Sequence, residues 1–423
     1  MNKKFQKRIL ILGGFAQHLE IIKYAKERGC YVIVADYLED APGKKLADES
    51  HLISITDVDA LVDLCRSRHV DGVMNYCIDP GQKPYQQICE RLGLPCYGTK
   101  EQFDIMTNKD LFHEACVSNG LDVIPIYNIS DTYTDRELDA IDYPVVLKPV
   151  DSRASKGFSV CRSRNDIKDA IQRALVHSKR KKIVFQKYMK NKDEVCAKYF
   201  VCDGTVHLTS FSDTYSYCVN GEKVSINGKY FPSKYDALYK KTADIDVKKM
   251  IKKIGIKNGP LSFTAFYDDG KFRFFDPSFR LGGAQQWRIE ECITGLDQSK
   301  CMTNFAMTGS MGYPEYFELV EQGFDSKVGA MLFVLVGLGV IGRVSGLNEA
   351  LNVSSVVASC VSHKEGDTVS EYGTSDHVLA YIHLVADDKK KIKEDMLKIQ
   401  SLIKVTDSSG GDMLLPHFDV NLI

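Results

Sequence analysis

The sequence predicts an α/β and α+β protein, with a parallel sheet at its N-terminus followed by mixed helices and antiparallel strands. An apolar run at Arg8–Leu12 is followed by a glycine turn, a helical pattern and a second apolar run at Cys30–Asp36. Strand, glycine turn, helix and strand in this order predict a βαβ unit. Later strand-like runs are joined by Asp-Gly pairs at Asp203-Gly204 and Asp269-Gly270, which are typical of hairpins.

Composition excludes several classes of protein. The chain has 423 residues, of which 44% are hydrophobic and 26% charged, as in ordinary globular proteins. This length gives room for roughly two to four domains. Lys and Arg number 55 against 56 Asp and Glu, so the near-neutral balance argues against a nucleic-acid partner or a polybasic membrane binder.

The cysteines predict a reducing compartment. There are 13 of them, an odd number, and none forms a CxxC pair, so we expect free thiols in a cytoplasmic protein. The N-terminus leads directly into a strand-like run, so we expect no signal peptide. The longest apolar run, Val328–Ile341, is shorter than the roughly 20 residues of a membrane-spanning helix, and we expect no membrane span.

The first glycine turn suggests one alternative, a NAD(P)-dependent oxidoreductase. Gly13 and Gly14 follow the first strand, and Asp36 ends the second, where a ribose contact would be expected. The dinucleotide fingerprint needs a third glycine, and none occurs before Gly29. A sheet domain that contributes a substrate surface at its strand ends is therefore the preferred interpretation.

A lysine within an apolar strand indicates a phosphate site in the middle of the chain. Lys148 lies in the run 143–150, although burying a lone ammonium is costly. A short polar loop at 152–157 follows it, and the backbone amides and hydroxyls of such a loop can surround phosphate oxygens. A helix over 100–119 carries Asn108 and Lys109 upstream. The GxxxxGK[ST] motif of a P-loop is absent from the sequence.

The hairpin at 261–280 carries a candidate metal site. Alternation places Asp276, Ser278 and Arg280 on one face of its second strand. Magnesium prefers oxygen ligands, often one or two carboxylates together with substrate phosphates. Arginine binds phosphate and acyl phosphate groups through paired N–H donors. The pattern therefore indicates Mg²⁺ and phosphate chemistry on this face.

In this order, these motifs resemble those of the ATP-grasp superfamily, the carboxylate–amine (or thiol) ligases that include biotin carboxylase and carbamoyl-phosphate synthetase. The resemblance covers nearly the whole chain. It implies a pre-ATP-grasp, Rossmann-like domain at 1–105 and an ATP-grasp domain at 106–320, with a lid subdomain at about 125–205. A C-terminal α+β domain at 321–423 would close over the active site.

The resemblance also implies roles for individual residues. Lys109 and Lys148 would hold the nucleotide phosphates, Glu194 the ribose, and Asp276 and Ser278 the metal. Arg280 and Lys148 would be the catalytic groups. The lid loop would contribute Ser152, Ser155, Lys156 and Gly157, and the adenine hinge would contribute Gln186, Lys187, Tyr188 and Met189.

The implied activity uses ATP and Mg²⁺ to join a small-molecule carboxylate to an amine or other nucleophile, with release of ADP and phosphate. Dimers are common among such ligases, so the resemblance adds a homodimer to the expected partners. One departure motivates a second alternative, an ATP-binding protein without ligase turnover. Thr264 stands where the family has a first-strand glutamate, and Ser278 where it has an asparagine.

Overall fold

The computed structural model describes residues 7–129, 133–150, 157–178, 180–189, 193–219, 222–312, 320, 323–324, 326–373 and 375–423. Within these ranges, the predicted combination of an N-terminal parallel sheet with later antiparallel sheets is confirmed. No helix in the described ranges is long and apolar enough to cross a membrane. All thirteen cysteines are free thiols.

The N-terminal sheet is parallel and has the strand order β3-β2-β1-β4. Its strands are β1 (Lys7–Leu12), β2 (Cys30–Ala35), β3 (Glu49–His51) and β4 (Gly72–Asn75). Its helices are α1 (Leu19–Glu27), α2 (Pro42–Leu46), α3 (Val58–Arg68) and α4 (Gln82–Leu92). Strands β1 and β4 pair directly, and a short 3-10 helix, Asp79–Gly81, follows β4 at the carboxyl end of the sheet.

Two helices then lead to a small antiparallel sheet. The helices are α5 (Lys100–Thr107) and α6 (Lys109–Val117). The sheet has the order β5-β8-β6-β7 and contains β5 (Ile126–Tyr127), β6 (Val145–Pro149), β7 (Ser159–Cys161) and β8 (Ile183–Lys187). Two further helices in this part of the chain are α7 (Asp135–Asp139) and α8 (Ile167–His177).

The largest sheet is antiparallel, with the order β13-β12-β9-β10-β11-β14-β18-β16. Its first strands are β9 (Glu194–Cys202), β10 (Thr205–Val219), β11 (Glu222–Phe231), β12 (Gly259–Asp268) and β13 (Lys271–Ser278). The later strands of the chain are β14 (Val328–Leu335), β15 (Gly339–Ser345), β16 (Val356–Val361), β17 (Thr368–Val369), β18 (Val378–Ala386) and β19 (Lys404–Asp407).

The helices that accompany these strands in the described part of the chain are α9 (Asp236–Thr242), α10 (Asp244–Ile254), α11 (Trp287–Thr294), α12 (Gln298–Thr308), α13 (Leu347–Leu351) and α14 (Lys389–Leu402). The large sheet continues across residue 320, because β11 pairs with β14. Strands β15, β17 and β19 form a separate three-stranded sheet. The domain boundaries expected at 105 and 320 stay a prediction.

One local prediction was wrong. The helix expected over 100–119 is two helices, because Asn108 leaves the helical conformation and its side chain accepts hydrogen bonds from the Asp110 and Leu111 amides. This cap starts a new helix at Lys109 and fixes the direction in which that lysine leaves the backbone. Residues 95–97 are irregular chain, and Tyr97 packs into an aromatic cluster.

The aromatic cluster joins the N-terminal sheet to the hairpin of β12 and β13. Tyr85 stacks on Tyr97, and Tyr97 meets Phe279 edge-on, with 5.0 Å between ring centroids in each pair. The Tyr97 hydroxyl donates a hydrogen bond to the Phe279 carbonyl at 3.0 Å. Because Phe279 directly precedes Arg280, this packing fixes the chain beside a candidate site residue.

Gly259, at the start of β12, makes this packing possible. Its φ is +108°, and an added Cβ would lie 2.8 Å from Tyr97 Cδ2. We expect Gly259→Ala to lower the free energy of unfolding by roughly 2–4 kcal/mol, because backbone strain and overpacking add together. Gly270→Ala is the matched control in the same hairpin: its φ is +74°, but nothing lies within 4 Å. Urea denaturation that gives equal losses for both variants would contradict the packing role.

Candidate functional site

A cleft between the small sheet and β13 brings together residues that lie far apart in the sequence. The Lys109 ammonium lies 3.4 Å from a carboxylate oxygen of Asp276. Lys148 and Gln186 face the same cleft from the paired strands β6 and β8. The cleft encloses a small cavity of about 30 Å³ in which Phe274 and other apolar groups also take part. Apolar walls with cations at one end suit a flat ring attached to phosphates.

Lys148 is a cation of this cleft whose pKa is strongly lowered. Burial, together with the nearby Lys109, lowers the pKa of Lys148 to about 7, even though Asp276 offsets part of the change. An ammonium with this pKa is charged only part of the time at neutral pH. A polyanion bound beside it would restore the full charge, because an opposite charge nearby favours the ionised form.

The predicted hinge residues lie at the end of β8 and directly after it, and Gln186 is the one that lines the cleft. Lys187 ends β8, and its amide donates a hydrogen bond to the Pro125 carbonyl at 2.9 Å. Met189 is buried. Glu194 is also buried, and one of its carboxylate oxygens lies 2.5 Å from the Lys223 ammonium. A ribose bound at Glu194 would therefore share that carboxylate with Lys223.

The metal face of β13 carries one carboxylate. Asp276 pairs in register with Thr264, as Ser278 does with Ser262. Asp276 is half exposed, whereas Ser278 is buried and its hydroxyl has no hydrogen-bond partner among the described residues. Among the described residues no cluster of three or more metal-ligating His, Cys, Asp or Glu side chains occurs. One accessible carboxylate and one unpartnered hydroxyl fit a Mg²⁺ whose remaining ligands are phosphate oxygens and water.

Arg280 connects this face to the N-terminal sheet. Its Nε and one terminal nitrogen donate to the two carboxylate oxygens of Asp79 at 2.8 and 2.7 Å, and its other terminal nitrogen donates to the Leu281 carbonyl. Burial disfavours the charged form, but the contact with Asp79 outweighs it and raises the pKa of Arg280. Three of the five N–H donors are thus occupied, and two remain for a substrate oxygen.

Sequence reasoning missed Asp79 and two lysines, the half-buried Lys198 on β9 and the buried Lys229 on β11. Burial, with smaller contributions from nearby Lys229 and Arg280, lowers the pKa of Lys198 to about 8. The available signal was the one that identified Lys148, a lysine within an otherwise apolar strand. Asp79 carries no such signal, because its partner is about 200 residues away in the sequence.

The first glycine turn does not have the features of a dinucleotide site. One Asp36 carboxylate oxygen accepts a hydrogen bond from the Gly14 amide and the other accepts one from the Leu38 amide, both at 2.8 Å. Gly43 packs directly on Gly14, with its amide 2.6 Å from the Gly14 carbonyl. Asp36 therefore holds the turn itself, and its carboxylate is already engaged where a ribose would bind.

The predicted lid loop is described only at its last residue. Ser152, Ser155 and Lys156 lie outside the described residues. Gly157 has a φ of +76°, and an added Cβ would lie 2.8 Å from the Pro149 ring. This glycine lets the chain pass closely over the end of β6 as it re-enters the small sheet.

Sequence comparisons relate parts of this chain to known proteins. Residues 9–83 match the family described as PylC-like, N-terminal domain. The chain is 25% identical over 190 residues to a formate-dependent phosphoribosylglycinamide formyltransferase of Prochlorococcus marinus (strain NATL2A), covering 44% of this chain and 48% of that protein. A formyltransferase of the same name from Synechococcus sp. (strain WH7803) is 28% identical over 174 residues, covering 41% and 44%. The chain thus spans less than half the length of these relatives.

Structural comparisons extend the likeness to almost the whole chain. The phosphoribosylglycinamide synthetase from Anaerococcus prevotii is similar with a TM-score of 0.75 at 20% identity, covering 95% of this chain and 99% of that one. The L-amino acid ligase from Bacillus licheniformis gives 0.76 at 18% identity, covering 96% and 99%. Biotin carboxylase from Campylobacter jejuni gives 0.75 at 17% identity, covering 96% and 92%. The chain therefore has the fold of the ATP-grasp superfamily, which its sequence resembles.

Proposed function

We propose that this protein is an ATP-dependent carboxylate–amine (or thiol) ligase. A carboxylate oxygen of a small acid attacks the γ-phosphorus of ATP, the bond to the bridging oxygen breaks, and ADP leaves. An amine or other nucleophile then attacks the acyl carbon of the acyl phosphate and displaces inorganic phosphate. The observation that carries this proposal is the contact of Lys109 with Asp276 beside Lys148. Two lysines that can bind phosphate thus lie next to a carboxylate that can bind a metal ion.

The residues of the cleft would act mainly through charge. Lys109 and Lys148 neutralise the phosphates, and Arg280 stabilises charge that develops on the transferred group. Asp276 and Ser278 would hold Mg²⁺, which would supply positive charge to offset the negative charge of the phosphates. The loop with Ser152, Ser155 and Lys156 would exclude water, because an exposed acyl phosphate hydrolyses readily.

Further support comes from the names of the similar proteins, which include a synthetase, a ligase and a biotin carboxylase. We also propose Mg²⁺ as the metal, a cytoplasmic location that suits thirteen free thiols, and a homodimer as the assembly.

A second candidate function is ATP binding without turnover. Thr264 of β12 lies opposite Asp276 of β13 and carries no charge, so this cross-strand pair supplies one carboxylate.

The direct test is ADP release over a panel of small carboxylic acids and amines, with Mg²⁺ present. We expect one acid and nucleophile pair to raise ADP release, and Asp276→Asn to lower that rate by at least roughly 100-fold, because the metal loses its charged ligand. Lys271→Met, an exposed lysine that pairs with Asp122 outside the cleft, is the control and should keep full activity. Tight ATP binding with no release for any pair would favour the second candidate.

Lys148 gives a prediction about pH. Its pKa of about 7 in the free protein means that its ammonium is mostly neutral at pH 8, whereas bound phosphates favour the charged form. ATP binding at pH 8 should therefore take up close to one proton, about 0.9 by the titration of a single group. Affinity should fall as pH rises above 7, by at most tenfold per pH unit.

Calorimetric titration of ATP in buffers of different ionisation enthalpy measures that proton uptake. Lys148→Met should bind ATP at least roughly tenfold more weakly and lose most of the uptake, whereas Lys271→Met should behave like the wild type. Equal proton uptake by Lys148→Met and the wild type would contradict the assignment of Lys148 to the phosphates.

A further inference from the structure

The segment 281–286 leads from the end of β13 to α11 and contains two loosely packed glycines. An added Cβ at Gly283 would meet nothing within 4 Å, and one at Gly282 would meet a single atom, at 3.5 Å. Arg280 directly precedes the segment, and one of its terminal nitrogens donates a hydrogen bond to the Leu281 carbonyl at 2.8 Å. Packing does not fix the two glycines, so hydrogen bonds from other parts of the chain decide where the segment lies.

Gln285 holds this segment in a conformation that residues other than glycine rarely adopt. Its φ is +54°, and it is buried. Such a conformation persists only where the surrounding contacts impose it. The Gln285 amide donates to the Gly282 carbonyl at 2.9 Å, and its side-chain nitrogen donates to the Gln17 carbonyl, also at 2.9 Å. The N-terminal part of the chain thus holds one point of the segment.

His383, on β18, holds the same segment from the C-terminal part of the chain. The ring is completely buried, with Nε2 2.8 Å from the Ala284 carbonyl oxygen and Nδ1 3.2 Å from the Ala358 carbonyl oxygen. Burial lowers the pKa of His383 to about 4, so at neutral pH the ring is uncharged and carries one N–H. The shorter contact assigns that hydrogen to Nε2, which donates to Ala284.

The two contacts hold adjacent residues, Ala284 and Gln285, from opposite ends of the chain. If the contact at Ala284 is lost, the glycine pair allows the chain before it to shift, and the Leu281 carbonyl shifts with it. Among the described residues, Asp79 would then be the remaining hydrogen-bond partner of the Arg280 guanidinium. A guanidinium with one partner samples more orientations, which matters for a group that must face one reacting centre.

We propose that His383 is a positioning residue for the ligase reaction, because through Ala284 it fixes the orientation of the Arg280 guanidinium. This inference rests on the proposed function, in which Arg280 stabilises charge on the transferred group. His383 takes no part in the bond changes. Its contact with Ala284 should therefore affect kcat much more than nucleotide affinity, since Lys109 and Lys148 bind the phosphates before the reaction begins.

Two amide variants test this contact. The side-chain nitrogen of Gln extends from the backbone about as far as Nε2 of histidine, whereas that of Asn extends only about as far as Nδ1. We expect His383→Gln to keep kcat within about threefold of the wild type, and His383→Asn to lower kcat at least about tenfold while KM for ATP changes by less than about threefold. Equal kcat in the two variants, or weaker ATP binding with unchanged kcat, would overturn the inference.

His377→Asn is the matched control, since His377 is also completely buried and lies directly before β18. Its Nδ1 accepts a hydrogen bond from the Gly373 amide at 3.1 Å, and the Asn side-chain oxygen can accept the same bond. This variant should keep the kcat of the wild type. A loss of kcat equal to that of His383→Asn would show a general effect of the substitution and would overturn the inference.

Hydrogen exchange measures the segment itself, without any substrate. The Gln285 amide should exchange at least about tenfold faster in His383→Asn than in the wild type, and at about the wild-type rate in His383→Gln. Mass spectrometry of peptides that cover 281–286 gives these rates. Unchanged exchange in folded His383→Asn, checked by circular dichroism, would overturn the inference.

The wild-type protein tests the hydrogen-bond assignment directly, so a variant that does not fold leaves the inference open to refutation. In protein labelled with ¹⁵N-histidine, NMR should show the His383 ring uncharged at pH 7 with its hydrogen on Nε2. The signal that disappears in His383→Gln identifies this ring. A hydrogen on Nδ1 would place the bond on the side of Ala358 and overturn the inference.

The exchange and NMR measurements use no ATP, so they separate this inference from the proposed function. Exchange that depends on His383, in a protein that releases ADP with no acid, would support the contact with Ala284 and refute the ligase function. ADP release with the same kcat in His383→Asn as in the wild type would support the ligase function and overturn the inference about His383.

Discussion

The candidate site depends on cationic side chains that outnumber the carboxylates near them among the described residues. Lys109, Lys148 and Arg280 converge on Asp276, and Arg280 is held in turn by Asp79 of the N-terminal part of the chain. Keeping these cations partly buried costs free energy, and burial lowers the pKa of Lys148 to about 7. Phosphates and a carboxylate would offset that free energy on binding, so the repulsion among these cations favours anionic ligands.

The fold supplies the rigidity that this arrangement needs. One apolar core runs from the N-terminal sheet into β9 and β12 of the large sheet, and the Tyr97 hydroxyl holds the backbone directly before Arg280. The large sheet places Asp276 of β13 and Lys198 of β9 on the same face. The two residues lie on either side of β12 and are two residues apart in register.

Much of this organisation could be predicted from the sequence, and the limits have physical reasons. The βαβ unit and the Asp269-Gly270 hairpin follow from local periodicity and turn chemistry, and Lys148 stands out as a charge in an apolar strand. The break at Asn108 was missed because the apolar pattern continues through it and predicts one helix. The new helix begins there because the Asn108 side chain caps it by accepting hydrogen bonds from backbone amides, which the apolar pattern does not reveal. Asp79 and Lys198 were missed because their importance comes from neighbours far away in the chain, which no local pattern specifies.

The transfer of oxygen from the acid to phosphate tests the central claim most directly. The acid that supports ADP release is labelled with oxygen-18 in its carboxylate, and the inorganic phosphate formed with the nucleophile present is analysed by mass spectrometry. If the carboxylate attacks ATP, one labelled oxygen bridges the acyl phosphate and leaves with the phosphate. The account therefore predicts one oxygen-18 atom in each phosphate released. Unlabelled phosphate would show that water cleaves ATP, and would contradict the ligase mechanism.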